Sequence, residues 1–219
     1  MKKFTAVEFL ILLAVLSVLI SLLVPALSSA RAKMKLNVCQ SNLYHIGIAY
    51  TLYTYSNNKY YPKLRKGSGY RHTMGKDGDG KPAEVRPLNK YYDTRKIAEC
   101  PSDIGQPMHN IENVYREWGS SYTATSGKNI YSIAYLSSSQ TPRTLDYYDQ
   151  SDKKIVSGDH NLWANRLWSS KMARWHWNGE KRRVNTLFQD MHVKFYTFPL
   201  EYNSFSQDEP PDVERWGHY

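Results

Sequence analysis

Two hydrophobic patterns follow one another at the start of the chain. Residues 9–27 (FLILLAVLSVLISLLVPAL) form an uncharged run of nineteen residues, interrupted by Ser17, Ser21 and Pro25. A helix of that length covers roughly 28 Å, which matches the roughly 30 Å hydrocarbon core of a bilayer. The run therefore predicts a membrane-spanning helix, and Pro25 is expected to kink it where it leaves the membrane.

The second pattern continues the first, because apolar residues recur at alternating steps of four and three. That spacing is typical of a helix with one buried face. Turn-forming residues 56–58 (SNN) are expected to end it. We expect one helix of about fifty residues, half in lipid and half under a globular body. The apolar stripe is Ala32, Leu36, Cys39, Leu43, Ile46, Tyr50 and Tyr53, opposite Lys33, Lys35, Gln40, Asn42 and His45.

Short alternating segments in the remaining chain are typical of strands. They lie at residues 129–136, 154–157, 183–188 and 192–198, and the last two form a hairpin around Asp190. The sequence therefore predicts an α+β fold, with the long N-terminal helix packed on a small antiparallel sheet.

Two further segments lack periodicity. Residues 63–89 are rich in Gly, Lys and Arg and predict a surface excursion, and residues 206–213 (SQDEPPDV) predict a polar extended tail.

Length and composition limit the class of protein. A chain of 219 residues and 25.5 kDa accommodates one domain and an appendage, which excludes a large multidomain enzyme. Two cysteines exclude a disulfide-dense scaffold. The net charge of +9 favours anionic partners such as phospholipid headgroups, nucleic acid or acidic polymers.

The residues before the apolar run indicate its orientation. Lys2 and Lys3 place the N-terminus in the cytoplasm, although the basic residues within 31–35 reduce the asymmetry. A cleavable secretory signal ending at Ala30 or Ala32 is the alternative. Glu8 favours the uncleaved helix, because an acid at the edge of an apolar segment is costly in lipid and needs a cationic partner. The alternative is that Glu8 lies among the headgroups near Lys2 and Lys3.

Residues 2–10 (KKFTAVEFL) resemble the prepilin leader of type IV pilins and of the pseudopilins of type II secretion. The resemblance implies cleavage between Lys3 and Phe4, N-methylation of Phe4, and Glu8 as the fifth residue of the mature chain. Lys3 stands where the family usually has Gly. In a filament, the Glu8 carboxylate of one subunit would neutralise the α-amino group on Phe4 of a neighbour.

Three further segments resemble pilin-like proteins, in the same order along the chain. They are Cys39–Leu43 (CQSNL) with residues 53–62, then Glu99–Asp103 (ECPSD), and Asn185–Val193 (NTLFQDMHV). Met191 replaces a Gly of the last signature, so we expect a different turn there, because Met disfavours positive φ.

The resemblance implies an organisation of four parts. Residues 1–3 are the leader, 4–28 the transmembrane and filament-core helix, 29–58 the amphipathic stalk helix, and 59–219 an extracytoplasmic head. The implied location is the bacterial inner membrane, with a cytoplasmic N-terminus and a periplasmic or extracellular head. The implied partners are copies of the chain and related subunits, prepilin peptidase, the secretion or pilus machinery and the lipid bilayer.

Candidate chemistry elsewhere is limited. Cys39 and Cys100 predict either a disulfide or two buried free thiols. Residues 77–80 (DGDG) lack the later acidic ligand of an EF-hand and predict a plain turn, so neither a metal nor another cofactor is expected. No compact ligand spacing joins His160, His176 and His192 with Asp159 and Asp190, and we expect no enzymatic activity.

A Trp-rich basic segment offers a different function. Its aromatic and basic side chains would stack on nucleic acid or glycan, or else fill the core or a subunit contact, and the second reading is favoured. The sequence therefore predicts a structural filament subunit, and the alternative is a membrane-anchored or secreted protein that binds an anionic polymer. The candidate binding residues are Trp163, Arg166, Trp168, Arg174, Trp175 and Trp177.

Overall fold

The computed structural model describes residues 5–62, 73–78, 80–124, 152, 155–160, 175–176 and 182–198. Within these ranges the fold is α+β, as predicted: a long N-terminal helix accompanies a small antiparallel sheet. The helices are α1 (Ala6–Ser56) and α2 (Val114–Trp118), with 3₁₀ helices at Ala83–Val85, Pro87–Tyr91, Arg95–Ala98 and Pro107–His109. The strands are β1 (Tyr122–Ala124), β2 (Ile155–Asp159), β3 (Arg182–Phe188) and β4 (Val193–Phe198).

The sheet has the order β1-β2-β3-β4, and all neighbours are antiparallel. The register of β3 and β4 runs from Arg182 opposite Phe198 to Leu187 opposite Val193, which confirms the predicted hairpin. The strand predicted at 154–157 is β2, shifted toward Asp159. The strand predicted at 129–136 and the tail at 206–213 lie outside the described residues.

The turn between β3 and β4 corrects one expectation. Met191 has φ 74°, its N–H donates to Phe188 O at 3.0 Å, and the Phe188 N–H donates to His192 O at 3.0 Å. These are the features of a three-residue loop whose last residue is left-handed. The prediction that Met would avoid this conformation is wrong. The left-handed backbone costs about 1 to 2 kcal/mol, and the Met191 side chain lies against α1, where its Sδ is 3.3 Å from Thr51 Oγ1.

Helix α1 ends at Ser56, where the sequence pattern predicts its end. Asn58 takes a left-handed φ of 52°, and the Lys59 N–H donates to Thr54 O at 2.7 Å. The Asn57 side chain also donates to Tyr53 O at 2.8 Å. These bonds satisfy carbonyls at the helix end that lack partners within the helix.

The second half of α1 packs against the sheet and supplies much of the core. Four members of the predicted stripe are buried, whereas Leu36 and Tyr53 are half-buried and Ala32 is exposed. A Cβ on Gly47 would lie 3.0 Å from Leu187 Cδ1, so the backbone of α1 approaches β3 closely there. The buried four are Cys39, Leu43, Ile46 and Tyr50.

Part of the segment predicted as a surface excursion is instead core. Residues 63–72 and 79 lie outside the described residues, but Met74, Ala83 and Leu88 are fully buried. Arg86 is buried as well, and its guanidinium donates to Met74 O at 2.7 Å and Trp118 O at 3.0 Å. Backbone carbonyls thus replace water around this cation, which is why a basic segment can be interior.

Candidate assembly helix and buried cysteine cluster

The first half of α1 presents an apolar surface with no protein packed on it. In the described residues, α1 is the helix long and apolar enough to cross a membrane, and its apolar window is not buried. The large hydrophobic side chains between Val7 and Leu27 are 45% to 67% exposed. Such a surface requires a cover of lipid or of other apolar helices.

The hydroxyls inside this surface are satisfied within the helix. Ser17 Oγ donates to Ala14 O at 2.8 Å, and Ser21 Oγ donates to Val18 O at 2.7 Å. Neither serine therefore needs a partner outside the helix in an apolar environment. The helix continues through Pro25, which carries no N–H donor.

Glu8 forms a capping box with Thr5 at the start of α1. Its Oε2 accepts from the Thr5 N–H at 2.8 Å and from Thr5 Oγ1 at 2.9 Å, and its own N–H donates to Thr5 Oγ1 at 3.3 Å. Thr-x-x-Glu is a sequence signal for such a cap, and our sequence reasoning missed it. Lys3 and Phe4, the predicted processing residues, lie outside the described residues.

A disulfide joins Cys39 on α1 to Cys100 after the 3₁₀ helix Arg95–Ala98. Both residues are buried, and their Cα atoms are 5.2 Å apart across a sequence separation of 61 residues. Of the two sequence-based readings, the structure has the bonded one. The bond fixes the stalk portion of α1 to the body of the domain.

Asp103 organises the loop that follows Cys100. Its carboxylate accepts from the backbone N–H groups of Gly105, Val114 and Tyr115 at 2.9 to 3.0 Å, and from Ser121 Oγ at 2.7 Å. Burial nevertheless raises the pKa of Asp103, against the lowering effect of these hydrogen bonds. The Cys-Pro-Ser-Asp element therefore links α1, the start of α2 and the residue before β1 in one rigid unit.

Asn42 connects the Cys-x-Ser-Asn-Leu segment to the same unit. Its Nδ2 donates to Glu99 O at 2.8 Å and reaches the Tyr122 hydroxyl at 3.4 Å. The side chain is half-buried, so Asn42 belongs to the packed face of α1 rather than to the solvated face where periodicity placed it.

His176 and Asp159 lie beside the disulfide. His176 Nε2 is 3.3 Å from Cys100 Sγ and 3.9 Å from Asp159 Oδ2, and both side chains are at most 5% exposed. Asp159 Oδ2 accepts from the Asn185 N–H at 2.6 Å and from Asn185 Nδ2 at 3.0 Å. Nothing in the local sequence brings these residues together, because they belong to different segments.

Burial drives both groups toward their neutral forms. Burial raises the pKa of the Asp159 carboxyl to about 7, although hydrogen bonds from Asn185 act in the lowering direction and the nearby Asp103 charge adds to the rise. Burial lowers the pKa of His176 to about 4.

With the disulfide intact, the free energy of unfolding should change with pH in opposite directions in the variants His176→Gln and Asp159→Asn. In His176→Gln, Asp159 remains with its folded pKa raised above the unfolded one. Its stabilisation is present at low pH and lost as pH rises from about 4 to 7. In Asp159→Asn, His176 remains with its folded pKa lowered, so stability rises as pH increases from about 4 to 6.5.

For one titrating group, the free energy of unfolding changes by at most about 1.4 kcal/mol per pH unit. Denaturant unfolding of the two variants at several pH values in this window measures the difference between their slopes. Two parallel curves would show that the groups do not titrate as their burial requires.

The other two candidate histidines, His160 and His192, and the Asp-Gly turn lie away from the cluster around the disulfide. His160 Nε2 lies 2.8 Å from Gln106 Oε1, and His192 Nδ1 lies 2.6 Å from Asp190 Oδ1. Asp77 Oδ1 accepts from the Ala83 N–H at 2.6 Å, next to a tight turn closed by the Gly78 and Lys81 backbones. Asp79 lies outside the described residues.

One candidate residue of the Trp-rich segment lies within the described residues, and it follows the favoured interpretation, in which the indoles fill the core. Trp175 is 1% exposed and packs in a cluster with Val114 and Trp118, so its indole fills the interior and offers no face for stacking. The other five candidates, Trp163, Arg166, Trp168, Arg174 and Trp177, lie outside the described residues.

Comparison of the chain with protein-family models, curated proteins and solved structures finds no match.

Proposed function

We propose that the chain is a structural, non-enzymatic subunit of a pilin-like filament, either a type II secretion pseudopilus or a type IV pilus-like fibre. The observation that carries the proposal is the division of α1. One continuous helix, Ala6–Ser56, exposes an apolar surface along its first half and packs its second half under a sheet.

A helix divided in this way suits a subunit that moves from the membrane into a filament. Lipid covers the apolar half of α1 while the protein is stored in the inner membrane, and sister helices cover the same surface in the filament. Hydrocarbon and apolar helices are equivalent covers for such a surface, so extraction from the membrane loses little apolar contact.

Glu8 supplies the specificity that a uniform apolar surface lacks. In a bundle of helices without water, its carboxylate needs a cationic partner. Cleavage between Lys3 and Phe4 by prepilin peptidase would create that partner as the α-amino group of Phe4 on a neighbouring subunit. The capping box holds the Glu8 side chain against Thr5 at the first turn of α1.

The disulfide supports an extracytoplasmic head. Disulfides persist in oxidising compartments, and this one joins α1 to the body of the domain. The head would therefore face the periplasm or exterior, with the N-terminus in the cytoplasm.

The alternative, a membrane-anchored or secreted protein that binds DNA or glycan, has less support. It relies on the Trp-rich segment, and Trp175, the indole of that segment that the structure describes, is buried. We retain it as an outcome of the tests.

Mechanical shearing of producing cells tests the filament role. We expect the protein in the sheared, sedimenting fraction as well as in the inner membrane. A control chain, with residues 1–27 replaced by a cleavable secretory signal, should yield a soluble head that does not sediment. Recovery of the full chain from membranes alone, or from the soluble medium alone, contradicts the proposal.

A further inference from the structure

Metal-ligating side chains from four separate segments lie in one buried region: three of them form a cluster, and the fourth, Asp159, lies beside the histidine of that cluster. They are Cys39 on α1, Cys100 after the third 3₁₀ helix, Asp159 at the end of β2, and His176. The two sulfur atoms and a His176 ring nitrogen all lie within 4.8 Å of one another. His176 Nε2 is 3.3 Å from Cys100 Sγ and 3.9 Å from Asp159 Oδ2.

We propose that, when the disulfide is reduced, this cluster binds a single Zn²⁺ ion through Cys39 Sγ, Cys100 Sγ and His176 Nε2, with the Asp159 carboxylate as the fourth ligand. The site does not depend on the filament role. It is a structural site, because the four side chains are buried and no position is left for a substrate.

The distances are close to those of a tetrahedral zinc site. Zn–S bonds of about 2.3 Å and Zn–N bonds of about 2.0 Å place a sulfur about 3.5 Å from a ring nitrogen and two sulfurs about 3.8 Å apart. The His176 to Cys100 distance already matches, and the His176 to Asp159 distance exceeds its tetrahedral value by about 0.5 Å. The sulfurs must separate by about 1.7 Å from their bonded distance, which rotation about the Cα–Cβ bonds provides.

The donor set and its surroundings favour zinc. Two thiolates with an imidazole select Zn²⁺ over Mg²⁺ or Ca²⁺, which prefer oxygen ligands. Asn185 already donates two hydrogen bonds to Asp159 Oδ2 and so orients the carboxylate. Among the described residues, the second carboxylate oxygen, Oδ1, is buried without a hydrogen-bond partner, so the group has unused capacity to bind a cation.

The disulfide and the metal exclude each other. A dithiol reductant transfers two electrons and two protons to the disulfide, which becomes two thiols while the reductant becomes a cyclic disulfide. Zinc then displaces both thiol protons. The same residues thus crosslink α1 to the domain by a covalent bond in oxidising surroundings and by a metal ion in reducing ones.

Cobalt and zinc titrations of the full chain in detergent micelles test the site. After reduction with a phosphine, Co²⁺ should give the visible bands of tetrahedral thiolate coordination at one equivalent, and Zn²⁺ should abolish them. The oxidised protein should give no bands. Absence of the bands in reduced, folded protein overturns the proposal.

Matched variants assign the ligands. His176→Gln should weaken zinc binding at least about tenfold, and Asp159→Asn should weaken it and change the cobalt spectrum. The control His192→Gln changes a half-exposed histidine outside the cluster and should bind zinc as the unmodified chain does. Equal affinity in His176→Gln and His192→Gln would contradict the assignment.

A redox measurement covers the case in which the reduced protein loses structure. Zinc should then restore its near-ultraviolet circular dichroism, and failure to restore it counts against the site. Because zinc binds the dithiol form, each tenfold excess over the dissociation constant should raise the reduction potential of the disulfide by about 30 mV. A potential that does not respond to zinc overturns the proposal.

Discussion

Replacing Glu8 by Gln should abolish incorporation into filaments and leave the protein in the membrane. Gln at this position retains the capping box with Thr5, because its amide oxygen accepts the same hydrogen bonds. The substitution removes only the negative charge. The α-amino group of a neighbouring Phe4 would then be buried without its counterion, at a cost of about 3 to 5 kcal/mol.

That cost corresponds to a fall of at least about a hundredfold in the ratio of sheared to membrane-bound protein, measured by immunoblotting. Ser17→Ala is the matched control, because it removes one internally bonded hydroxyl from the same segment and should assemble normally. Normal assembly of Glu8→Gln combined with failure of Glu8→Ala would show that Glu8 acts as a helix cap and not as a charge partner.

Replacing both Cys39 and Cys100 by Ala should lower the free energy of unfolding of the oxidised protein by about 4 kcal/mol. The bond closes a loop with a sequence separation of 61 residues, and the chain-entropy model gives about that value for a loop of this length. Alanine avoids burying a hydroxyl in the cavity left by the sulfurs.

Denaturant unfolding in the presence of a chelator measures this loss without interference from metal. Reduction of the unmodified protein under the same conditions is the control and should give a similar loss. A change below about 1 kcal/mol in the double variant would mean that packing alone holds α1 to the domain.

The elements with strong local patterns could be predicted from the sequence. Helix α1 combines a long apolar run with a stripe of period 3.6, and turn residues mark its end at Ser56. The β3–β4 hairpin alternates around a turn. Strand β1 could not be predicted, because it has three residues, all buried, and exists through its pairing with β2.

Two features that the sequence pattern does not predict depend on contacts between residues far apart in the chain. Arg86 is interior because carbonyls of Met74 and Trp118 surround its guanidinium. Met191 takes a glycine-like conformation while its side chain contacts Thr51 on α1.

The candidate sites divide in the same way. The sequence shows Glu8 as an acid at the edge of an apolar segment, and Thr5 three residues earlier completes a Thr-x-x-Glu capping signal. The cluster around the disulfide was not readable. The fold brings the two sulfurs and a ring nitrogen of His176 within 4.8 Å of one another, and it places Asp159 Oδ2 3.9 Å from His176 Nε2, although these residues belong to separate segments.

Mass spectrometry of the N-terminal peptide of the protein isolated from its membrane tests the filament account most directly. The account predicts a chain that begins at Phe4 and carries an N-methyl group. A chain that begins directly after Ala30 or Ala32 would have lost the apolar helix, and a chain that retains Met1 would never have exposed the amine on Phe4. Either result would contradict the proposed assembly.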